Sequence, residues 1–471
     1  MTFRLWILGS ELSLLAVCIS IPFPSRAQQR DIDLDFQAAV AQYEAGRYPE
    51  AAAKLEKLLP KVPQSFEVHE LLGLVYAAQS QDEKASEHLE AAVSLKPGSA
   101  SAHTNFGNIL VHAGKLDLAE QQYKKAVALA PQDYEANHNL GELFARVNKV
   151  PEALPYLKKA QQLNRGSYDN GYDLALAYFL TGSLGDAREL IHDLVGRKDT
   201  AELHNLLAEV EEKDGNFVSA VNEFETAAHM DPSEGNLFDW ASELLVHRTL
   251  EPAIDVFHQG TERYPNSSRM AIGLGMAYYS LGKYDDAVKS LLRAADLDPS
   301  DPRGYPFLSR AFDSSPSQAD EVVARFRRFT ELQPKNGRAF YYYAVSLWKS
   351  KREQDTNLDV SQIESLLKKA IALDPQLPEA HLQLANLYSD QKKYAEAIPE
   401  YLQARERNPD LADVHYRLAQ AYVRTGEKDL AQQEFNVYQR LREQHLSDLD
   451  KQRAEIRQFV YSAKKDSDGK P

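Results

Sequence analysis

The stretch "EAHLQLANLYSDQKKYAEAIPEYLQARERNP", Glu379–Pro409, holds two apolar-periodic halves, a short polar turn between them and a closing proline. A cousin follows at once, "DVHYRLAQAYVRTGEKDLAQQEF" from Asp413. Others lie upstream: "EVHELLGLVY" from Glu67, "SAHTNFGNIL" from Ser101 and "ELHNLLAEVE" from Glu202. An acidic or small residue, a histidine, then Leu-Ala or Leu-Gly and often a tyrosine recur. A ladder of metal sites and a repeated packing rule would both write such a pattern. They imply different functions.

Prolines close the units at Pro97, Pro131, Pro232, Pro299, Pro375 and Pro409. Pro97 to Pro131 and Pro375 to Pro409 each span 34 residues. Small residues recur between them at fixed offsets: Gly107, Gly114, Ala119 and Ala126 in one unit, Gly275, Gly282, Ala287 and Ala294 in another. Leu274, Tyr278 and Leu281, then Ala287, Leu291 and Ala294, follow helical spacing on either side of the turn "LGKYDD". The spacing predicts antiparallel helical hairpins that approach closely at Gly275 and Ala287, with Tyr278 and Leu291 filling the flanks. The proline stops the second helix, since it lacks an N–H and disfavours helix in the residue before it.

This succession resembles the tetratricopeptide repeat, whose signature sets Leu-Gly, Tyr, Ala, Phe, Ala and Pro at such offsets. About twelve units match between residues 33 and 444. The resemblance implies an all-α, right-handed superhelical solenoid over 28–444. The register is irregular near 314–362, where "SSPSQAD" and "KSKREQDTNLDVSQ" depart from the pattern; such insertions map to loops on one edge of a solenoid, and the alternative is a seam between two sub-arrays. Residues 445–463 read as a long charged helix that caps the array, and 464–471 as a disordered tail.

The chain has 471 residues, 43% hydrophobic and 26% charged, with a net charge of −15. That charge repels phosphate backbones, so no nucleic-acid partner is expected. Residues 1–27 read as a signal peptide: Arg4, an apolar stretch from Leu5 to Ile21, then Ser25-Arg26-Ala27 before Gln28. The expected mature protein is periplasmic or secreted and free of cysteine, since Cys18 would be removed. Glu11 interrupts the stretch, which argues against a retained membrane anchor. Val17 stands before Cys18 where lipoprotein signals resembling this one want Gly, Ala or Ser. A membrane association would follow only from retention or lipidation of this segment.

His69, His103, His204, His381 and His415 fall where the resembling family prefers a large aromatic. A zinc site needs three or four ligands at about 2–2.3 Å from one ion, and equivalent positions in adjacent hairpins stand about 10 Å per helix layer apart. The histidines are therefore expected to pack, and no metal or cofactor is expected. "HELLG" at His69 lacks the second histidine of a zinc protease, because Gly73 stands there. No phosphate loop or nucleophile elbow is present, so no catalytic residue is assigned.

In this family the first helices of the hairpins line a concave groove. Projecting the pattern gives Asn108, His112, His138, Glu142, Arg146, Asn205, Glu209, Met276, Tyr279, Tyr341, Trp348, Lys349, Asn386, Tyr416, Gln420 and Arg424 as groove residues, while Tyr342 and Tyr343 belong to the core. The mix of amides, aromatics and charges suits a peptide or protein partner. A carboxylate clamp of the kind some members carry is not supported, because Thr104, Leu382 and Tyr416 stand where it wants lysine. Asn105 and Asn139 fit an asparagine ladder that most other units break. The expected function is a non-catalytic scaffold or assembly factor. The alternatives are a membrane-anchored envelope factor and a carbohydrate-binding or carbohydrate-processing protein using the aromatic stretch Arg338–Trp348.

Overall fold

The computed structural model describes residues 26–354, 360–443, 454–460 and 462–464. Residues 1–25 of the expected signal segment, 465–471 of the expected tail and the inserted 355–359 lie outside the described residues. The chain divides into two compact units, Met1–Asn216 and Phe217–Pro471. The first holds α1 (Arg26–Glu44), α2 (Tyr48–Leu58), α3 (Phe66–Ala78), α4 (Asp82–Leu95), α5 (Ala100–His112), α6 (Leu116–Leu129), α7 (Tyr134–Arg146), α8 (Val150–Leu163), α9 (Tyr168–Thr181), α10 (Leu184–Val195) and α11 (Ala201–Asp214). The second holds α12 (Phe217–Met230), α13 (Glu234–Val246), α14 (Leu250–Arg263), α15 (Ser268–Ser280), α16 (Tyr284–Leu297), α17 (Tyr305–Ser314), α18 (Ala319–Leu332), α19 (Gly337–Gln354), α20 (Ser361–Leu373), α21 (Pro378–Asp390), α22 (Tyr394–Arg407), α23 (Ala412–Thr425) and α24 (Lys428–Glu443). A C-terminal helix follows at 454–460 and resumes at 462–464. Among the described residues no helix is long and apolar enough to cross a membrane.

Several hairpins are punctuated by the same local chemistry, in which a side-chain oxygen two residues after the closing proline caps the next helix, whereas α17, α21 and α23 start without a side-chain cap. Ser65, Ser99, Asp133 and Ser267 each accept from the backbone N–H three residues on. This satisfies one of the donors that a helix start leaves open. Among the described residues, the turns inside the hairpins place one residue in the left-handed region. Gly46, Ser80, Gly114, Asn148 and Gly182 occupy it at φ 56° to 82°, 34 residues apart. Gly282 and Gly426 repeat it, and Arg248, Gln318 and Lys392 adopt it without glycine.

Close approach inside a hairpin is set by small residues. A Cβ on Gly107 would lie 2.4 Å from the Tyr123 ring, and one on Gly275 2.5 Å from Leu291 Cγ. Ala119, Ala126, Ala287 and Ala294 are buried on the facing helices. In each case the large partner stands sixteen residues on, directly over the glycine.

The boundary between units falls after Asn216, so the irregular stretch near 314–362 is not the seam. The hydrophobic core of the second unit runs through that stretch, from Ala228 past Phe312, Phe326 and Tyr342 to Ala463. The insertion falls in sequence between α19 and α20, and these two helices pack on each other as one hairpin.

Within each unit the first helices of successive hairpins touch one another: α3 with α5, α5 with α7 and α7 with α9, then α13 with α15, α15 with α17 and α17 with α19. Among second helices the same close approach is made by α16 and α18. A layer whose members stand closer together is the short side of a curved stack. The first helices therefore form the inner face of each unit.

Candidate functional site

The recurring histidines serve the packing. His103 Nε2 lies 3.0 Å from the carbonyl of Pro97, and Nδ1 lies 2.7 Å from Gln122 Oε1. His415 repeats this with the carbonyl of Pro409 at 2.8 Å and Glu434 Oε2 at 2.5 Å. His69 reaches the Pro63 carbonyl and the His88 ring, and His381 reaches Glu400. Each imidazole ties its helix to a residue nineteen on, in the second helix of its own hairpin. Three also hold the carbonyl of the proline six residues back. Asn137 and Tyr305 do the latter with an amide and a phenol, on Pro131 and Pro299. A position open to His, Asn and Tyr alike asks for a donor of the right reach. His204 pairs with Asp199 at 2.8 Å. Among the described residues no group of three or more His, Cys, Asp or Glu converges as metal ligands.

The inner face of the first unit is polar, aromatic and acidic. On α5, Asn108 accepts from Tyr123 Oη at 2.6 Å and from Asn139 Nδ2 of α7 at 2.9 Å, so one amide joins two hairpins. His138 stacks on Tyr134 with ring centroids 5.5 Å apart, and its Nδ1 lies 3.2 Å from Oδ1 of the buried Asn170 on α9. Tyr168 and Tyr172 form a second stack one hairpin on. The hydroxyls of Tyr134 and Tyr168 bond Ser167 and Thr200, the caps of the following first helices. Half-buried Asp173 lies among these rings. Burial pushes its carboxyl up to about 7, His138 opposes the shift, and Glu142 and Asp169 add to it. Asp173 therefore holds a proton more readily than an ordinary aspartate, on a face that already carries Glu142.

The inner face of the second unit is apolar where α13, α15 and α17 meet, and it is occupied. The C-terminal helix lies on it, with Phe459 edge-on to Phe238 at 5.9 Å and Arg310 Nη1 2.6 Å from Glu455 Oε2. The helix expected to cap the array thus lies, over its described residues, along the inner face. Its apolar side chains find Phe238 and its neighbours there.

Repeat-family models match this chain over most of its length. A model described as "TPR repeat" matches residues 107–148 and 385–426. Others described as "Tetratricopeptide repeat" match 36–100 and 238–302, 145–210, 366–398 and 412–445. The chain belongs to the tetratricopeptide repeat family. The TPR repeat-containing protein YpiA of Bacillus subtilis (strain 168) is 24% identical over 226 residues, which is 47% of this chain and 51% of that protein. The chain thus spans about half the length of the curated relative it matches. Among solved structures, YrrB, described as a TPR protein with an unusual peptide-binding site, is 17% identical at a TM-score of 0.37 and covers 38% of this chain and 93% of its own. PilW, described as a widely conserved type IV pilus biogenesis factor, is 24% identical at a TM-score of 0.38 and covers 43% of this chain and 94% of its own.

On this tetratricopeptide scaffold the projected groove residues separate. Asn108, His138, Glu142, Asn205 and Glu209 share the inner face of the first unit. His112 turns to Asp82 at 2.5 Å, and Arg146 is exposed at the end of α7. In the second unit Tyr279 lies beside Phe307, with Arg310 over its ring, under the C-terminal helix. Trp348 is 7% exposed and Met276 0%, so both belong to the core and not to a contact surface. Both join the core cluster that neighbouring hairpins share. Tyr342 and Tyr343 are core, as their spacing predicts. Tyr341 is half-buried, and burial, then Glu379, pushes its hydroxyl well up. Lys349 pairs with Asp313 at 3.0 Å, and Asn386 accepts from Tyr401 Oη at 2.8 Å. Tyr416 packs on Phe435 and Tyr438 of α24, within its own hairpin. Gln420 and Arg424 are exposed. Sequence reasoning missed Tyr134, Tyr172 and Asp173, although aromatic residues one turn apart on α7 and α9 were a usable signal. It also missed Phe238 and Arg310, whose role depends on a helix far along the chain.

Proposed function

We infer that this chain is a non-catalytic scaffold or assembly factor that holds a peptide or protein partner on the inner face of its first unit. The observation that carries this reading is the row Tyr134, His138, Glu142, Tyr172 and Asp173. Its aromatic faces and carboxylates stand half-open on adjacent first helices. Aromatic planes give large contact area at low entropic cost, and the acids select basic side chains. The preferred partner segment is an extended peptide with Lys or Arg among apolar residues. The test is selection from a displayed random-peptide library against the full chain. Enrichment of basic, apolar peptides that a Glu142→Gln/Asp173→Asn variant no longer retains supports the reading. Equal retention by the variant overturns it.

Residues 1–27 act in this reading as a cleaved signal, which places the array in the periplasm or outside the cell. N-terminal sequencing of the exported protein is expected to start at Gln28. A chain that keeps Met1 and sediments with membranes replaces this with a membrane-anchored envelope factor.

A further inference from the structure

By composition the C-terminal helix should be solvated, yet one of its faces is not. Ile456, Phe459 and Ala463 are 4%, 4% and 0% exposed, at positions i, i+3 and i+7 of one helical stripe. Chemistry at both ends sets the direction of the helix on its seat. Near its start Glu455 accepts from Arg310 of α17, and the same guanidinium lies 4.6 Å over the Phe307 ring. Near its end Lys464 Nζ stands 3.3 Å from Asp239 Oδ1 of α13 and 4.8 Å over the Phe224 ring. Between them Phe459 meets Phe238, with Arg303 6.0 Å from its ring. An acid meets a base at one end and a base meets an acid at the other, so a reversed helix would set like charges together.

We propose that the inner face of the second unit is a helix-receiving groove. Its ligand is an amphipathic helix with a carboxylate, an aliphatic residue directly after it, an aromatic four positions on and a lysine nine positions on. Residues 454–460 and 462–464 of this chain are its resident, and they compete with a partner helix of the same pattern. This rests on the reading above that the inner faces receive polypeptide, but it concerns the other unit. The seat is small. Three apolar side chains and rim ion pairs such as Arg310–Glu455, with side chains 35% and 44% exposed, hold the helix, and exposed pairs of this kind contribute little each. What favours the resident is its tether, since a short covalent link supplies an effective concentration in the millimolar range. A partner helix with the same pattern displaces it once its own affinity exceeds that advantage.

The probe is a labelled synthetic peptide with the sequence of residues 451–466, KQRAEIRQFVYSAKKD. It is titrated into the full chain, into Phe459→Asp and into Phe459→Asp/Arg310→Glu, each shown by circular dichroism to be folded. Phe459→Asp unseats the resident and is expected to bind the peptide at least tenfold more tightly than the parent. Arg310→Glu is expected to remove that gain. Glu455→Lys, a milder surface change, opens the groove in the same direction. Equal binding by parent and Phe459→Asp overturns the proposal, as does no binding by a folded Phe459→Asp chain. So does a parent dimer that becomes monomeric in Phe459→Asp, because the helix then belongs to a second copy. Peptide binding here while library selection on the first unit fails would sink only the earlier reading. The reverse result would sink only this one.

Discussion

His415 Nδ1 and Glu434 Oε2 stand 2.5 Å apart across the α23–α24 hairpin, and Arg405 Nη1 lies 2.5 Å from the other oxygen of Glu434. The Pro409 carbonyl accepts from Nε2, so both ring nitrogens face acceptors and the imidazolium fits the site. Burial works against the charge on His415, but Glu434 and Pro409 outweigh it and raise its pKa. Burial alone would raise the pKa of Glu434, yet His415 and Arg405 bring it below its ordinary value. The signs follow. The raised histidine contributes stability that is complete below about 6.5 and is lost as pH rises through its folded value. The depressed carboxylate contributes above about 4.5 and is lost as pH falls through its folded value. The hairpin is therefore firmest between about 4.5 and 6.5. Glu434→Gln should cost about 2 kcal/mol in that window and less at high pH. Hydrogen exchange of α23 and α24 at pH 6 and pH 9 checks this, and a pH-independent loss would contradict it.

The same device has the opposite sign in α3–α4. His69 Nδ1 and His88 Nδ1 are 3.1 Å apart, so one ring donates and the other accepts. Burial lowers the pKa of His88, and a charge on His69 lowers it further. Folding favours the neutral ring, so this contribution is present above about 6.5 and lost as pH falls through the folded value. Exchange in α3 and α4 should therefore accelerate between pH 7 and pH 5, while α23 and α24 hold. His88→Gln keeps an acceptor at the site and should abolish the acid-side acceleration. Persistence of that acceleration in the variant would assign it to another group.

Gly107→Ala tests the packing rule. The new methyl would sit 2.4 Å from the Tyr123 ring, which is held by its hydroxyl on Asn108. The ring has to move, and with it the bond that links Asn108 to the next hairpin. Overpacking of this kind costs about 1–3 kcal/mol. Ala287→Leu, on the facing helix of another hairpin, should cost about as much. Urea unfolding of both variants reads the effect, and unchanged midpoints would show that these positions are not the points of close approach.

Much of this was legible because a repeat writes its packing locally. The period from Pro97 to Pro131 and the glycine opposite Tyr123 each depend on neighbours within one hairpin. The histidines are legible for the same reason, since both partners of His415 lie within nineteen residues of it. What the sequence hid depends on distance. Trp348 has the spacing of a groove residue, yet it lies buried in the core that neighbouring hairpins of the second unit share. The seat of Phe459 was invisible because Arg310 and Glu455, which fix it, are 145 residues apart. An amphipathic stripe says that a face will be covered, and it does not say by what. The unit boundary after Asn216 was equally unmarked, since Gly215 continues the turn pattern of the regular repeats.

Asp173 supplies the functional prediction. Its carboxyl is pushed up to about 7, mainly by burial, so it titrates at higher pH than an ordinary aspartate. A basic side chain on the inner face of the first unit favours the ionised form, so binding should release protons and strengthen with pH. Between pH 6 and pH 8 the affinity for a selected basic peptide is expected to rise by about tenfold, the span of one pKa unit of coupling. Asp173→Asn fixes a neutral group at the site and should flatten the profile at the weak, low-pH value. His138→Gln removes the side chain that opposes the upward shift, so the rise should move to higher pH. Isothermal titration in two buffers of different ionisation enthalpy counts the protons released. A flat affinity profile in the parent, with no proton release, would show that Asp173 does not face the bound peptide.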